Sequence, residues 1–317
     1  MKRLILALLV SLLSIPSYPL HAFEQKVVQA KGLEFWTETF GRRENPAILL
    51  IMGSGAQGLL WHQKFCEKLA DKGFFVIRYD NRDVGLSSLI DYNKNPYDLM
   101  DMAKDAIAIL DDYGIQKAHV VGASMGGMIT TLLGGNFPER TASLTLMVTT
   151  PDVRSNLAAI QGKESTSPLS PPKPVFLTWI KNHLTTPPKT LEDQLERNLE
   201  GMRLLSGSTF PFDEALYRQL TLQSFARTRN LENSFHHVKA METSHALQAK
   251  ACDKIKAPTV ILQGDQDPIF ALDHGEALEK AIPHAQLEVI PDMGHVLNTH
   301  FYEAIIEKIQ GVVKGEN

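Results

Sequence analysis

Short apolar runs alternate with amphipathic stretches through most of the chain. Residues 47–52 are continuously apolar and end in glycines, the pattern of a strand buried on both faces of a parallel sheet. Residues 61–72 place Phe65, Leu69 and Ala70 on one helical face, and Gly73 stops them. A second apolar run, 74–79, predicts the next strand. Residues 97–113 align Leu99, Met102, Ala106, Leu110 and Tyr113 along one stripe and end at Gly114, which predicts an amphipathic helix. A strand at 118–121, a helix at 125–136 and a strand at 144–148 continue the alternation, and 26–29 with 33–39 read as an opening antiparallel hairpin. This order predicts an α/β architecture with a mostly parallel sheet and helices on both faces.

After Thr150 the pattern changes. Residues 165–174 are rich in Ser and Pro, Pro187-Pro188 follows, and from there to about 249 the spacing is helical without a convincing strand. The pattern then resumes, with strands at 259–263 and 286–290, a helix at 272–281 and a closing helix at 295–313. A core that restarts after an insertion predicts one domain, 23–150 plus 251–317, carrying a helical cap at about 151–250. Phe176, Trp179, Met202, Leu205, Phe210, Phe212 and Phe225 are its large apolar residues, expected mostly in the cap's own core with some left to line a pocket.

The first 22 residues do not fit this pattern. Lys2 and Arg3 precede the apolar run 4–13, residues 15–19 break it, and Leu20-His21-Ala22 is a plausible cleavage site. The run is shorter than the roughly 20 residues of a membrane span, so 1–22 reads as a signal peptide of a bacterial protein exported to the periplasm or secreted, with an uncleaved membrane anchor as the alternative. Its loss takes the formal net charge from −4 to −6, because it carries Lys2 and Arg3 and no acid. A mildly acidic chain lacks the electrostatic footprint of a nucleic-acid or anionic-lipid binder. The two cysteines, Cys66 and Cys252, are far apart in sequence; an oxidising compartment permits a disulfide, and buried free thiols fit equally well.

The candidate chemistry centres on Gly122-Ala123-Ser124-Met125-Gly126, between a predicted strand and a predicted helix. Three fixed positions of this kind match by chance on the order of 0.1 times in such a chain. The strand–turn–helix context is what makes Ser124 a candidate nucleophile, displayed on a tight turn. A hydroxyl needs a base, and His295 follows a predicted strand, placed at the start of the last helix. His236 and His237 read as surface residues of the cap, with a position facing the pocket as the alternative, and His62, His119, His183 and His284 have no motif around them. A base needs an orienting acid; Asp265 and Asp267 both follow the strand at 259–263, and spacing favours neither strongly. Oxyanion donors are expected from the Met125 N–H and from the loop Met52-Gly53-Ser54-Gly55, with Ser54 favoured and Gly53 as the neighbouring alternative. The charged loop 80–87 reads as an internal hydrogen-bond and ion-pair brace, with substrate binding as the alternative. No His or Cys spacing suggests a metal site, and no cofactor is expected.

These motifs resemble the α/β-hydrolase fold family. The resemblance rests on residues 50–55, the loop 79–87, residues 122–129, 264–268 and 290–295, and it covers nearly the whole core but only loosely the cap. Within the family the chain is most similar to the aclacinomycin methylesterase-like branch, which has this Met-Gly loop. The resemblance implies Ser124 as nucleophile, Asp267 rather than Asp265 as acid, His295 as base, and Ser54 and Met125 as oxyanion donors. The family does not fix the substrate; the serine, base and oxyanion donors point to a serine hydrolase of small carboxylic esters, and the apolar cap residues point to a hydrophobic acyl or alcohol group. Action on an amide, thioester or carbon–carbon bond, or a non-catalytic ligand-binding role, are the competing expectations.

Overall fold

The described residues of this computed structural model, 24–315, contain an eight-stranded sheet in the order β1-β2-β4-β3-β5-β6-β7-β8. The proposed signal segment lies outside them. The strands β1 (Glu24–Ala30) and β2 (Leu33–Phe40) form the expected antiparallel hairpin, and β2 runs antiparallel to β4 (Phe75–Tyr79). From β4 onward every pairing is parallel, through β3 (Ala47–Ile51), β5 (Ala118–Ala123), β6 (Thr141–Met147), β7 (Thr259–Gly264) and β8 (Gln286–Ile290). The central strand β3 explains its own continuous apolarity: Ile48, Leu49, Leu50 and Ile51 are all at 0 % exposure, alternating between two covered faces.

Ile48 and Leu50 pack with Phe65 and Leu69 of α1 (Gln63–Asp71) and with Ile305, Ile309 and Val312 of α10 (Tyr302–Lys314). Leu49 and Ile51 face the other layer, with Leu99, Met102 and Ala106 of α2 (Leu99–Asp112), Met128 and Leu132 of α3 (Met125–Asn136), and Leu278 of α9 (Leu272–Ala281). Helix α2 starts where it does because Asp98 and Asp101 form a reciprocal capping box, each side chain accepting the other's N–H, at 3.0 and 3.3 Å. Such a cap stabilises a helix by about 1 kcal/mol. Cys66 and Cys252 are free, buried and on opposite faces of the sheet, so they do not pair. Burial pushes their thiols up to about 12 and about 11.

The insertion is helical, as expected: α4 (Arg154–Ile160), α5 (Pro174–Thr185), α6 (Leu191–Leu205) and α7 (Glu214–Arg227). Leu195, Leu199 and Tyr217 form its small core, with Met202, Phe212 and Phe225 packed against it. Two expectations change. Helix α8 (Phe235–Cys252) falls within the expected cap, yet it belongs to the sheet's own helical layer. Its Ala240, Met241, Ala251 and Cys252 are buried in the main core, and a Cβ on Gly135 of α3 would stand 2.4 Å from the Ala251 carbonyl oxygen. The cap therefore ends before residue 235; a 3.6-residue period shows that a segment is helical but not what it packs against. The closing helix starts at Tyr302 rather than at His295, after a short 3-10 turn at Thr299–Phe301, and residues 295–298 are loop. Asn298 caps that turn by accepting the His300 N–H.

Among the described residues, no helix is long and apolar enough to cross a membrane, and no cluster of His, Cys, Asp and Glu could hold a metal ion.

Candidate active site

The carboxyl ends of β3, β5, β7 and β8 bring the candidate residues to one edge of the parallel sheet, where sites in such sheets form. Ser124 lies between β5 and α3 with φ 56° and ψ −122°, a left-handed conformation that L-residues adopt only when the surroundings over-determine it. Its N–H donates to Met147 O at 2.9 Å, and its carbonyl accepts from Gly127 N–H at 2.9 Å and Thr149 Oγ1–H at 2.7 Å. The flanking glycines are required by close approach. A Cβ on Gly122 would stand 2.2 Å from Gly126 O, and one on Gly126 would stand 2.0 Å from Ile51 O. The Ser124 hydroxyl does not cap the helix behind it.

Asp267 and His295 meet. His295 Nδ1–H donates to Asp267 Oδ2 at 2.8 Å, which leaves Nε2 as the basic nitrogen. Asp267 is 1 % exposed. Its other oxygen accepts the Ile269 and Phe270 N–H groups at 2.7 and 3.1 Å, and Gln263 Nε2 donates to Oδ2 at 3.2 Å. Four hydrogen bonds keep this buried carboxylate from being an unpaired charge. Asp265 is exposed and accepts the Asp292 N–H at 2.7 Å, bracing the loop rather than the imidazole. Of the two acids that spacing left open, Asp267 is the one hydrogen-bonded to His295.

The loop carrying His295 is held by the cap. Leu205 O, at the end of α6, accepts from His295 N–H at 2.6 Å and Val296 N–H at 3.2 Å, and Tyr217 Oη–H donates to Leu297 O at 2.9 Å. A Cβ on Gly294 would stand 2.2 Å from the same Leu205 oxygen. Nothing in the sequence pattern pointed to this clamp, because a backbone carbonyl leaves no residue-type signature.

Met125, the first residue of α3, has an N–H without an acceptor inside the helix. Ser54 lies in the loop after β3, half-buried, and its neighbour Gly53 abuts the serine: a Cβ there would stand 3.0 Å from Ser124 Cβ and 3.5 Å from Oγ. The loop 80–87 is the expected brace. Asp80 accepts the Gly58 and Leu86 N–H groups at 2.8 and 2.9 Å and pairs with Arg227. Burial raises its carboxyl above the usual value despite that arginine. Asn81 Nδ2–H donates to Met52 O at 3.0 Å, and Arg82 grips Asp105 with two bonds of 2.7 Å.

His237 corrects the surface expectation. It is 0 % exposed and bonded on both ring nitrogens, to Gly55 N–H at 3.0 Å and to Arg82 O at 2.7 Å. His236 is part-buried against Asp83 at 3.0 Å. His62 is buried on Tyr302, with burial pushing its imidazole down to about 3, and His119 meets Ser143 at 2.8 Å.

The chain matches the alpha/beta hydrolase fold family over residues 46–299. It is 34 % identical over 289 residues to a rhodomycin D methylesterase of Streptomyces peucetius, covering 90 % of this chain and 96 % of that protein. It is 26 % identical over 287 residues to a 3-oxoadipate enol-lactonase of Acinetobacter baylyi, covering 88 % and 92 %. A solved 2-hydroxy-6-oxo-6-phenylhexa-2,4-dienoate hydrolase from Rhodococcus sp. strain RHA1 superposes with a TM-score of 0.72 at 21 % identity, covering 93 % of this chain and 99 % of that one, a likeness of fold. On the profile match and the methylesterase identity together, the chain belongs to the alpha/beta hydrolase fold family.

Proposed function

We propose that the chain is a serine esterase that hydrolyses small, apolar carboxylic esters through an acyl-enzyme on Ser124. The carrying observation is the 2.8 Å bond from His295 Nδ1–H to buried Asp267, at the same sheet edge as the strained Ser124 turn. In this reading His295 Nε2 takes the hydroxyl proton as Ser124 Oγ attacks the ester carbonyl. The oxyanion accepts the Met125 and Ser54 N–H groups. The tetrahedral intermediate collapses, and the imidazolium returns its proton to the departing alcohol. A water, deprotonated by the same nitrogen, then attacks the acyl carbon. Collapse of the second intermediate releases the acid and restores Ser124. Asp267 stabilises the imidazolium at both stages without being protonated itself. The cycle balances with water as the sole co-reactant and calls for no cofactor or metal.

The names of the methylesterase and enol-lactonase relatives support an ester-type bond. An apolar substrate is supported by the large apolar residues of the cap and by Phe270, whose ring centroid lies 5.6 Å from that of His295. p-Nitrophenyl acetate, butyrate and octanoate should be hydrolysed, and the matching anilides and thioesters should be turned over far more slowly. Preferential cleavage of an anilide or a thioester would replace the ester reading. The signal-like pattern of residues 1–22 supports export, and in this reading the reaction runs outside the cytoplasm. N-terminal sequencing of protein recovered from the periplasm or medium should start at Phe23, and an intact Met1 terminus would refute processing.

A further inference from the structure

The loop after β3 turns at residues 53–56. Ala56 N–H donates to Gly53 O at 3.3 Å, and Gly55, third in the turn, has φ 69°, the left-handed residue that a type II turn needs there. A trans amide points its N–H opposite to its C=O. The bond to Gly53 O therefore also directs the Ser54 N–H, which belongs to the same peptide. At 3.3 Å that bond is long. The next peptide is held from outside the turn, by Gly55 N–H donating to His237 Nδ1 at 3.0 Å. The other ring nitrogen meets Arg82 O at 2.7 Å. An N–H can only donate and a carbonyl can only accept, so His237 is neutral with its proton on Nε2. Burial agrees, pushing the imidazole down to about 4. Arg82 is anchored in turn on Asp105.

We propose that His237 is a positioning residue that fixes the turn 53–56 on the braced loop 80–87, so that the Ser54 N–H stays aimed at the oxyanion. The proposal rests on the reading of Ser54 as an oxyanion donor. It joins the first turn of α8 to the reaction through one imidazole, without contact between His237 and the substrate.

Two variants separate the ring's two bonds. In His237→Asn the amide oxygen takes the place of Nδ1 and can still accept the Gly55 N–H. In His237→Gln the longer amide can still donate to Arg82 O, and Gly55 loses its acceptor. His237→Gln should lower kcat on p-nitrophenyl butyrate by about tenfold or more, part of the 10²–10³ that loss of an oxyanion donor costs. Its KM should change by less than about threefold, the split expected when only the transition state is affected. His237→Asn should recover most of the loss. Equal kcat in the two variants, or a change in KM alone, would overturn the proposal. Complete fluorophosphonate labelling of Ser124 in both variants shows that nucleophile and base are intact. Failure of the wild-type protein to label would instead strike the serine esterase reading itself. A measurement on the native chain needs no variant: nitrogen NMR of the His237 ring should show Nε2 protonated and Nδ1 bare from pH 8 down to pH 6. A proton on Nδ1 in that range would overturn the proposal.

Discussion

Replacing Ser124 with alanine should lower kcat/KM for p-nitrophenyl esters by about 10⁵-fold or more, the scale seen when the nucleophile of a concerted triad is removed. The loss should be nearly pure chemistry. The Ser124 hydroxyl makes no capping bond to α3, and the bonds that hold the turn come from its backbone and survive the change. Alanine bears the left-handed φ of 56° at about the same cost as serine, since both carry a Cβ. Thermal unfolding should therefore stay within a few degrees of wild type. A variant that is equally stable but keeps more than about one per cent of wild-type activity would remove Ser124 from the chemistry.

Asp267→Asn should lower kcat by about 10³–10⁴-fold, the size of effect that follows when the orienting acid of a triad becomes an amide. The hydrogen bonds around Asp267 dictate how the amide sits. Its Oδ1 position accepts two backbone N–H groups, from Ile269 and Phe270, so the amide oxygen must stay there. The amide nitrogen then faces His295 and also Gln263 Nε2, a second donor. An N–H pointing at Nδ1 forces the imidazole proton onto Nε2, and the base can no longer accept from Ser124. Asp265→Asn is the control. It retains an oxygen for the Asp292 N–H, and kcat should change by less than about threefold. Equal losses in the two variants would contradict the assignment of Asp267.

How much of this was legible in the sequence follows from what each signal encodes. Strand β3 was legible because burial on both faces leaves an unbroken apolar run, and α3 was legible because Gly122 and Gly126 are forced by backbone contacts 2.0–2.2 Å from any Cβ. Gly-x-Ser-x-Gly is the direct imprint of that geometry. The choice between Asp265 and Asp267 was not legible from spacing, because both follow β7 and only the turn of the loop decides which one is buried on His295. The place of α8 in the sheet's own layer is not legible, because its periodicity is indifferent to whether the partner is α3 or α7. The loop conformation of His295 is not legible because it is held by Leu205 O, a tertiary bond from the cap that leaves no mark on the local sequence. Burial of His237 is not legible because nothing within a few positions of it foretells a contact with Gly55, 182 residues away in sequence. What the sequence hides here is long-range contact with backbone atoms, which any residue type can supply.

Whether Ser124 is the residue that becomes acylated is read by intact-mass and peptide mass spectrometry after reaction with a fluorophosphonate. One adduct per chain should form, located on Ser124, absent in Ser124→Ala and slowed in Asp267→Asn. An adduct on another residue, or an unmodified wild-type chain that still hydrolyses esters, would contradict it.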